Sequence, residues 1–449
     1  MFYRAKFPVL LGFDRIENLL MSSLVDLKKH TNPGSAAAQI SLQTVIQEAP
    51  VQTASQLNVC MIGYTHYDSD GRVIRYAETL AKRGDRVDFI ALKGEGDPDQ
   101  EVRNGVRIFR IQRRTYKEKS KFSYLFAILA FFFRTMWFLA RQKPHVHYDL
   151  VHVNSVPDFL VFSAWLPKMR GAKVILDIHD LLPELYISKF ESNENTILYR
   201  LLRGVERVSA AYADYVIAAN DIWRAKLVSR ARSIHEDRCT SILNFPDRAI
   251  FYRRGRTRND GKFIMVFPGS LNWHQGIDIA IRALGRIKDE APNAEFHIYG
   301  DGPTVPALKA LTESLGLNGR VKMMGGRGIG EMAQIMENAD LGVVPKRNDL
   351  FGDEAFSTKI LEFMIMGLPV VVSSTKIDRF YFSDSVVKFF RAGDDADLAD
   401  AMLAMIRNPE ARNRMAQNAL EFAAKYDWES NKDKYLNIVN LLTASAGAT

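Results

Sequence analysis

The chain has 449 residues, 47% hydrophobic and 25% charged, with 60 basic against 52 acidic residues and a formal net charge of +8. This is the balance of a globular protein long enough for two domains with full cores, and it excludes overall disorder. Two cysteines, Cys60 and Cys239, give neither a disulfide framework nor a metal-ligand spacing; Cys60, inside an apolar run, reads as a core residue of a cytoplasmic protein.

Residues 1–54 read as an extension outside the fold. Asp14 and Glu17 interrupt its apolar residues, against a signal peptide, and the stretch from His30 to Ala54, with Asn32-Pro33-Gly34-Ser35, reads as a flexible tether. From Leu57 short apolar runs alternate with helical segments, the pattern of a doubly wound parallel sheet. The predicted strands of a first Rossmann-like α/β domain, residues 55–250, are NVCMIGY, RVDFIAL, VRIFRIQ, DLVHVNS, KVILDIHD and DYVIAAN. Asn244 to Asp247 and the basic stretch Arg253 to Gly261 read as a linker. The pattern then restarts over 251–425 with KFIMVFPGSL, AEFHIYGDG, VKMMGG, LGVVP and PVVVSS, and a helix closes the chain over 426–449.

Within the first half, Arg103, Arg107, Arg110, Arg113, Arg114, Lys117, Lys119 and Lys121 face only Glu118 as local opposition. The apolar, aromatic-rich helix 122–140 follows at once. Three readings stay open for it: a membrane span, a buried connector, and a helix lying on an anionic membrane surface. A span would put the strands at 106–111 and 150–153 on opposite sides of a bilayer, whereas one sheet needs both. Nucleic acid is not expected as a partner, because no recognition motif accompanies the charge.

Glu354 and Glu362, with seven residues between them, frame the start of a predicted helix at Ser357 and Thr358. Unpaired N–H groups and a positive dipole end suit a pyrophosphate there. Glu362, one turn in, can accept two hydrogen bonds from a ribose diol, and Glu354 is free to meet the sugar.

The pair, set in Ser357-Thr358-Lys359-Ile360-Leu361-Glu362-Phe363-Met364 with Gly367-Leu368-Pro369 and Val370-Val371-Val372, resembles the glutamate-pair motif of retaining GT-B glycosyltransferases of the group 1, family 4 type. Phe267 to Leu271, Gln275 to Asp278, Tyr299 to Pro303 and Tyr426-Asp427-Trp428 extend the resemblance over roughly 57–440. The resemblance implies a GT-B fold, two Rossmann-like domains facing across a cleft, with the last helix crossing back to the first. It implies transfer of a sugar from a nucleotide-diphosphate sugar to an acceptor hydroxyl, with no metal and no other cofactor. Donor contacts are implied for Gly269, Ser270, His274, Gln275, Gly276, Arg347, Phe356, Ser357, Thr358, Lys359 and Glu362, and a contact with the transferred sugar for Glu354. The family's Arg and Lys in the loop after the first strand of the second domain are missing. Asn272, Trp273, His274 and Gln275 stand there, so replacement charge could come from His274, Lys346, Arg347 or Lys359, and the helix N-terminus from Phe356 to Lys359 must carry more of the diphosphate's charge.

In the first domain either His152 or Asn154, at the end of DLVHVNS, matches a family residue that touches the donor sugar, and His152 reads equally as core. His179 and Asp180 are expected at the cleft edge, where they could orient an acceptor hydroxyl or receive its proton. Asp180 reads equally as a helix cap with Pro183 in the first turn. His66 and Asp70-Gly71 complete the candidates. The expected activity is sugar transfer to a lipid-linked or other glycan acceptor in polysaccharide biosynthesis, at the inner face of a membrane. The alternatives are a nucleotide-sugar epimerase or hydrolase of the same fold, and a non-catalytic binding subunit.

Overall fold

Runs such as Val59-Cys60-Met61-Ile62, with every side chain buried, form strands covered by helices on both faces, which is why they lack polar alternation. The computed structural model of the protein describes residues 56–114, 121–141, 147–190, 194–231 and 234–444. The extension expected at 1–54, with its tether, lies outside the described residues, as do Lys117, Glu118 and Lys119.

The first domain runs β1 (Asn58–Gly63), α1 (Gly71–Arg83), β2 (Arg86–Lys93), β3 (Gln100–Arg103), β4 (Val106–Arg113), α2 (Lys121–Arg141), β5 (Leu150–Asn154), α3 (Trp165–Met169), β6 (Lys173–Ile178), α4 (Leu182–Phe190), α5 (Ile197–Tyr212), β7 (Tyr215–Ala218), α6 (Asp221–Arg230) and β8 (Cys239–Ser241). The sheet order is β3-β4-β2-β1-β5-β6-β7-β8, parallel except for the β3–β4 hairpin. That hairpin turns on Asn104 and Gly105, both at positive φ, as a two-residue connection demands.

The second domain runs β9 (Phe263–Pro268), α7 (Ile277–Arg286), β10 (Ala294–Tyr299), α8 (Val305–Ser314), β11 (Val321–Met323), α9 (Ile329–Glu337), β12 (Leu341–Val344), α10 (Thr358–Ile365), β13 (Val370–Ser373), α11 (Lys376–Tyr381), β14 (Lys388–Phe390), α12 (Asp395–Arg407) and α13 (Pro409–Ala423). Its order, β11-β10-β9-β12-β13-β14, is the 3-2-1-4-5-6 of a doubly wound sheet. The strand order reverses between β1 and β5 in one sheet and between β9 and β12 in the other. A crevice opens at each reversal, beyond the strand C-termini.

The last helix, α14 (Trp428–Thr443), follows the second domain in sequence but packs on the first. Trp428, Tyr435, Ile438 and Val439 join the core of Val59, Met61 and Tyr76, and Trp428 Nε1 donates to Thr79 Oγ1 at 2.8 Å. From the other side Phe351 of the second domain inserts into the first-domain core, and Asn220 Nδ2 donates to the Glu354 carbonyl at 3.0 Å.

Ile128, Phe131, Thr135 and Leu139 form one buried stripe of α2, at helical spacing, against the first sheet. β4 and β5, on either side of α2 in the chain, lie in the same sheet, so the spanning reading fails. The connector reading covers one stripe only: Phe126 is 75% exposed and Trp137 57%. The basic run also needs correcting. Arg103 pairs with Asp68 and Glu101, Arg107 with Asp88, and Arg110 with Asp97 and Glu101, so these three brace the sheet edge instead of presenting charge.

The loops beyond β9, β10 and β12 are packed backbone to backbone. A Cβ at Gly276, which sits at φ 67°, would lie 1.9 Å from the Pro345 carbonyl oxygen, and one at Gly300 would lie 1.8 Å from that of Gly269. Gly276→Ala is expected to cost about 2–4 kcal/mol, the sum of a left-handed backbone and an overpacked contact. A thermal melt unchanged within 1 °C would contradict this.

Candidate active site

A cleft of about 700 Å³ lies between the domains. Its second-domain wall is made by the loops after β9 and β12, at the reversal point of that sheet, and its first-domain wall by Asp180 and α4. Ser270, His274, Gln275, Phe356, Ser357, Thr358 and Lys359 all line it. Ser357 occupies the N-cap position of α10 in an extended conformation, and its side chain does not cap the helix. The opening N–H groups of α10 are thus not taken up by the cap side chain.

The four cations expected to replace the family's Arg and Lys separate cleanly. His274 packs edge-on against Phe351, and burial pushes its pKa down to about 4, with Asp349 opposing and Lys359 adding to the shift. It is neutral at pH 7. Arg347 holds Asp278 through two hydrogen bonds of 3.0 and 2.8 Å, stacks on Trp273 and donates to the Trp273 carbonyl. It braces the 272–276 loop and, unlike Lys359, does not line the cleft. Lys346 is 3.0 Å from Asp378 and 2.7 Å from the Ala355 carbonyl, so its charge is spent inside the domain. Lys359 differs from the other three: its ammonium rests against Gln275 Oε1 at 3.1 Å and Ser357 Oγ at 3.3 Å, both neutral. Burial pushes its pKa down to about 8, and Lys346 adds to the shift. It stands beside Gly269 and Gln275, where the family's loop cation is missing. An arriving diphosphate would relieve a charge the fold holds at a cost.

Glu362 lies one turn into α10, off the cleft wall; burial pushes it up to about 7, opposed by Lys359 and by Arg75 of α1 in the other domain. Glu354 does not match the expectation of a free carboxylate. It is 7% exposed and held between Lys226 of α6 and Lys376 at the start of α11, the latter at 2.9 Å. Burial opposes ionisation, but the two lysines bring its pKa below the ordinary value. The insertion of Phe351 into the first domain drags this turn against α6, so Glu354 clasps the two domains together. Gly269 and Gly276 shape the loops without lining the cleft.

A second cavity of about 310 Å³ adjoins the first; Asp180, Ala355, Phe356 and Thr358 line both. Asp70, Arg72, His179 and Asn244 complete its polar wall. Beneath it Asp177, fully buried, accepts from Arg72 Nε at 2.9 Å and Nη2 at 2.6 Å, and lies 3.1 Å from His179 Nε2. Burial alone would raise the Asp177 pKa; Arg72 and His179 overcome it and hold the carboxyl well below the usual range. Burial likewise opposes protonation of His179, and Asp177 raises its pKa in spite of it. Burial raises the Asp180 pKa, with His179 opposing.

His152 does not reach either cavity. Two residues short of the strand end, it is fully buried, with Nδ1 2.9 Å from the Tyr435 hydroxyl of α14. Each strand residue advances only about 3.3 Å, so His152 lies a layer below the edge, and burial lowers its pKa. Asn154 donates to the Ile62 carbonyl at 3.2 Å and is also covered. Sequence reasoning missed Arg72, Asp177, Arg75, Lys226 and Lys376 as site residues. Arg72, Arg75, Lys226 and Lys376 carry no local motif, since each acts on a partner distant in the chain, whereas Asp177 stands two residues before its partner His179.

Asp-x-Asp triplets occur at Asp68–Asp70, Asp97–Asp99 and Asp395–Asp397. Arg103, Lys93, Arg286 and Arg391 pair with members of these triplets, and Asp70 caps α1.

Residues 250–422 match the family of glycosyl transferases group 1, and residues 72–244 match the glycosyl transferase 4-like domain. A D-inositol 3-phosphate glycosyltransferase of Actinosynnema mirum is 25% identical over 392 residues, 81% of this chain and 89% of that one. The fold is similar to that of sucrose-phosphate synthase from Thermosynechococcus elongatus, at TM-score 0.71 and 19% identity over 86% of this chain and all of that one. It is also similar to that of Anabaena HepE, solved with UDP and glucose, at TM-score 0.64 and 16% identity, covering 85% of this chain and 99% of that one.

Proposed function

The chain belongs to the group 1 glycosyl transferases and has their two-domain GT-B fold, and on that premise we propose that it moves a sugar, with retention, from a nucleoside-diphosphate sugar to a lipid-linked acceptor in polysaccharide assembly. The observation that carries the donor assignment is the cleft where the start of α10 and the Lys359 ammonium converge. The bond from the anomeric carbon to the diphosphate breaks with its electron pair leaving on the diphosphate. Charge grows there, so a fixed ammonium and helix N–H groups aimed at it lower the barrier, without reorganisation and without a metal. Glu362 takes the ribose diol. The acceptor hydroxyl enters through the smaller cavity, bonds the anomeric carbon through an oxocarbenium-like state, and gives its proton to the departing diphosphate or to Asp180, whose raised pKa suits that task.

Two features support an acceptor at a membrane surface: the exposed apolar stripe of α2, and Arg141 stacked on Trp137 at its end. The Actinosynnema relative is named a D-inositol 3-phosphate glycosyltransferase, so a phosphorylated polyol is the second acceptor class to test.

Calorimetric titration with a panel of UDP-, GDP-, ADP- and dTDP-sugars tests the donor reading. One of them is expected to bind at micromolar Kd, and Glu362→Ala to weaken it at least tenfold through loss of two charge-assisted hydrogen bonds. Because the Glu362 pKa is raised to about 7, its ionised form, the better diol acceptor, gains population as pH rises from 6 to 8. Donor affinity should rise over that interval, and Glu362→Gln should flatten it. No binding of any panel member would overturn the reading.

A further inference from the structure

The helix α5 carries apolar side chains on both faces. The face it turns to the protein carries Tyr199, Glu206, Ser209 and Ala210, with Leu202 half-buried, while the face it turns to solvent carries Ile197, Leu201 and Val208 at 78%, 61% and 57% exposure. A surface helix of a globular domain keeps such large apolar residues on its inner face. Arg200 and Arg207 are exposed on the same outward face, and among the described residues neither has an acidic partner. The one acid on the helix, Glu206, is buried against Arg230 at 3.4 Å and Arg203 at 3.9 Å; Glu194 lies ahead of the N-cap, Thr196.

This face continues into that of α2. Phe132 of α2 packs on Phe159 with ring centroids 5.9 Å apart, Phe162 packs on Tyr212 of α5 at 5.0 Å, and Lys168 of α3 donates to the Tyr212 carbonyl at 2.7 Å. Trp165 and Met169, on α3 between them, are also exposed. On its other flank α5 packs against α4, whose Leu185, Ser188 and Lys189 line the donor cleft.

We propose that α5 is a second membrane-docking helix that, together with α2 and α3, seats the first domain on an anionic bilayer with the donor cleft beside it. The inference rests on the membrane reading of α2 and deepens it. An anionic bilayer answers both halves of the stripe, burying the apolar side chains and neutralising the arginines. A second copy of the chain does not. A two-fold contact through this face would gather Arg200 and Arg207 of both copies into one interface with no acid on the helix face to compensate.

The test is flotation of the full chain with vesicles of phosphatidylglycerol and phosphatidylethanolamine, against vesicles of phosphatidylcholine. Leu201→Glu with Val208→Glu removes the apolar stripe, Arg200→Gln with Arg207→Gln removes only the charge, and Phe126→Glu with Phe133→Glu disables α2. Wild type is expected on the anionic vesicles, and each α5 pair is expected to lower partitioning about tenfold, with an unchanged circular dichroism spectrum and unchanged transfer to a water-soluble acceptor. If the α2 pair releases the protein while both α5 pairs bind as wild type, the second helix is overturned and the reading of α2 stands. If wild type floats with neither composition, both are overturned. If the α5 pairs convert a dimer to a monomer in the ultracentrifuge without changing flotation, the face is a contact between copies and the proposal fails.

Discussion

Lys359→Met is expected to lower kcat/KM by about 10²–10³-fold, the loss typical of removing one preorganised group from a developing anion. The size follows from Coulomb's law. A unit charge about 4 Å from a phosphate oxygen is worth about 4 kcal/mol at an effective dielectric constant near 20, which corresponds to about a thousandfold. None of the other three candidates on the second domain can substitute, because Arg347 and Lys346 are committed to Asp278 and Asp378, and His274 is neutral at pH 7. The double variant Lys359→Met with Gln275→Lys puts a cation back on the loop 3.1 Å from the lost one and should recover at least tenfold. The pH profile gives a separate reading. A lysine whose pKa is lowered to about 8 is charged below that value and loses its charge above it, so donor affinity should fall as pH rises past 8. Combined with ionisation of Glu362 near 7, the affinity should peak between about 7 and 8. A Lys359→Met enzyme within threefold of wild type would show that the helix N-terminus alone carries the diphosphate.

Asp177→Ala is expected to destabilise the first domain by about 3–5 kcal/mol, since it leaves the Arg72 guanidinium buried with no counter-charge. Urea unfolding read at the first-domain transition measures it. Arg72→Met with Asp177→Leu should cost much less than either single change, because an apolar pair of similar volume replaces a desolvated ion pair. The acid limb carries its own signature. The folded pKa of Asp177 is depressed, so its contribution is present above the ordinary Asp range near 4 and is lost as pH falls toward the folded value. The variant should therefore differ from wild type at pH 7 and converge with it in strong acid. The single change should also lower the pKa of His179, which Asp177 holds up, and a titration of the imidazole by NMR would register that. A loss under 1 kcal/mol would mean that water reaches Arg72.

The parallel strands were legible because both faces of each sheet are covered, and continuous apolar runs such as Val370-Val371-Val372 have no other simple use. The edge strand β3 escaped, although Asn104-Gly105 is a strong hairpin signal: its residues Gln100, Glu101 and Arg103 are polar, because only the hairpin covers them. In the site, α10 and its Ser357-Thr358 start were legible from a local pattern. The state of Glu354 was not. Its partners Lys226 and Lys376 belong to different elements, and only the insertion of Phe351 into the other domain brings them together.

The amino-acid order by itself determined two doubly wound halves and a helix start, at Ser357-Thr358, able to face a diphosphate, because hydrophobic period and helix termini are properties of neighbours in the chain. Only the tertiary structure decided which of four candidate cations keeps its charge available. That outcome depends on burial and on acids that arrive from afar, Asp278 for Arg347 and Asp378 for Lys346, and a Coulomb interaction is set by distance in space.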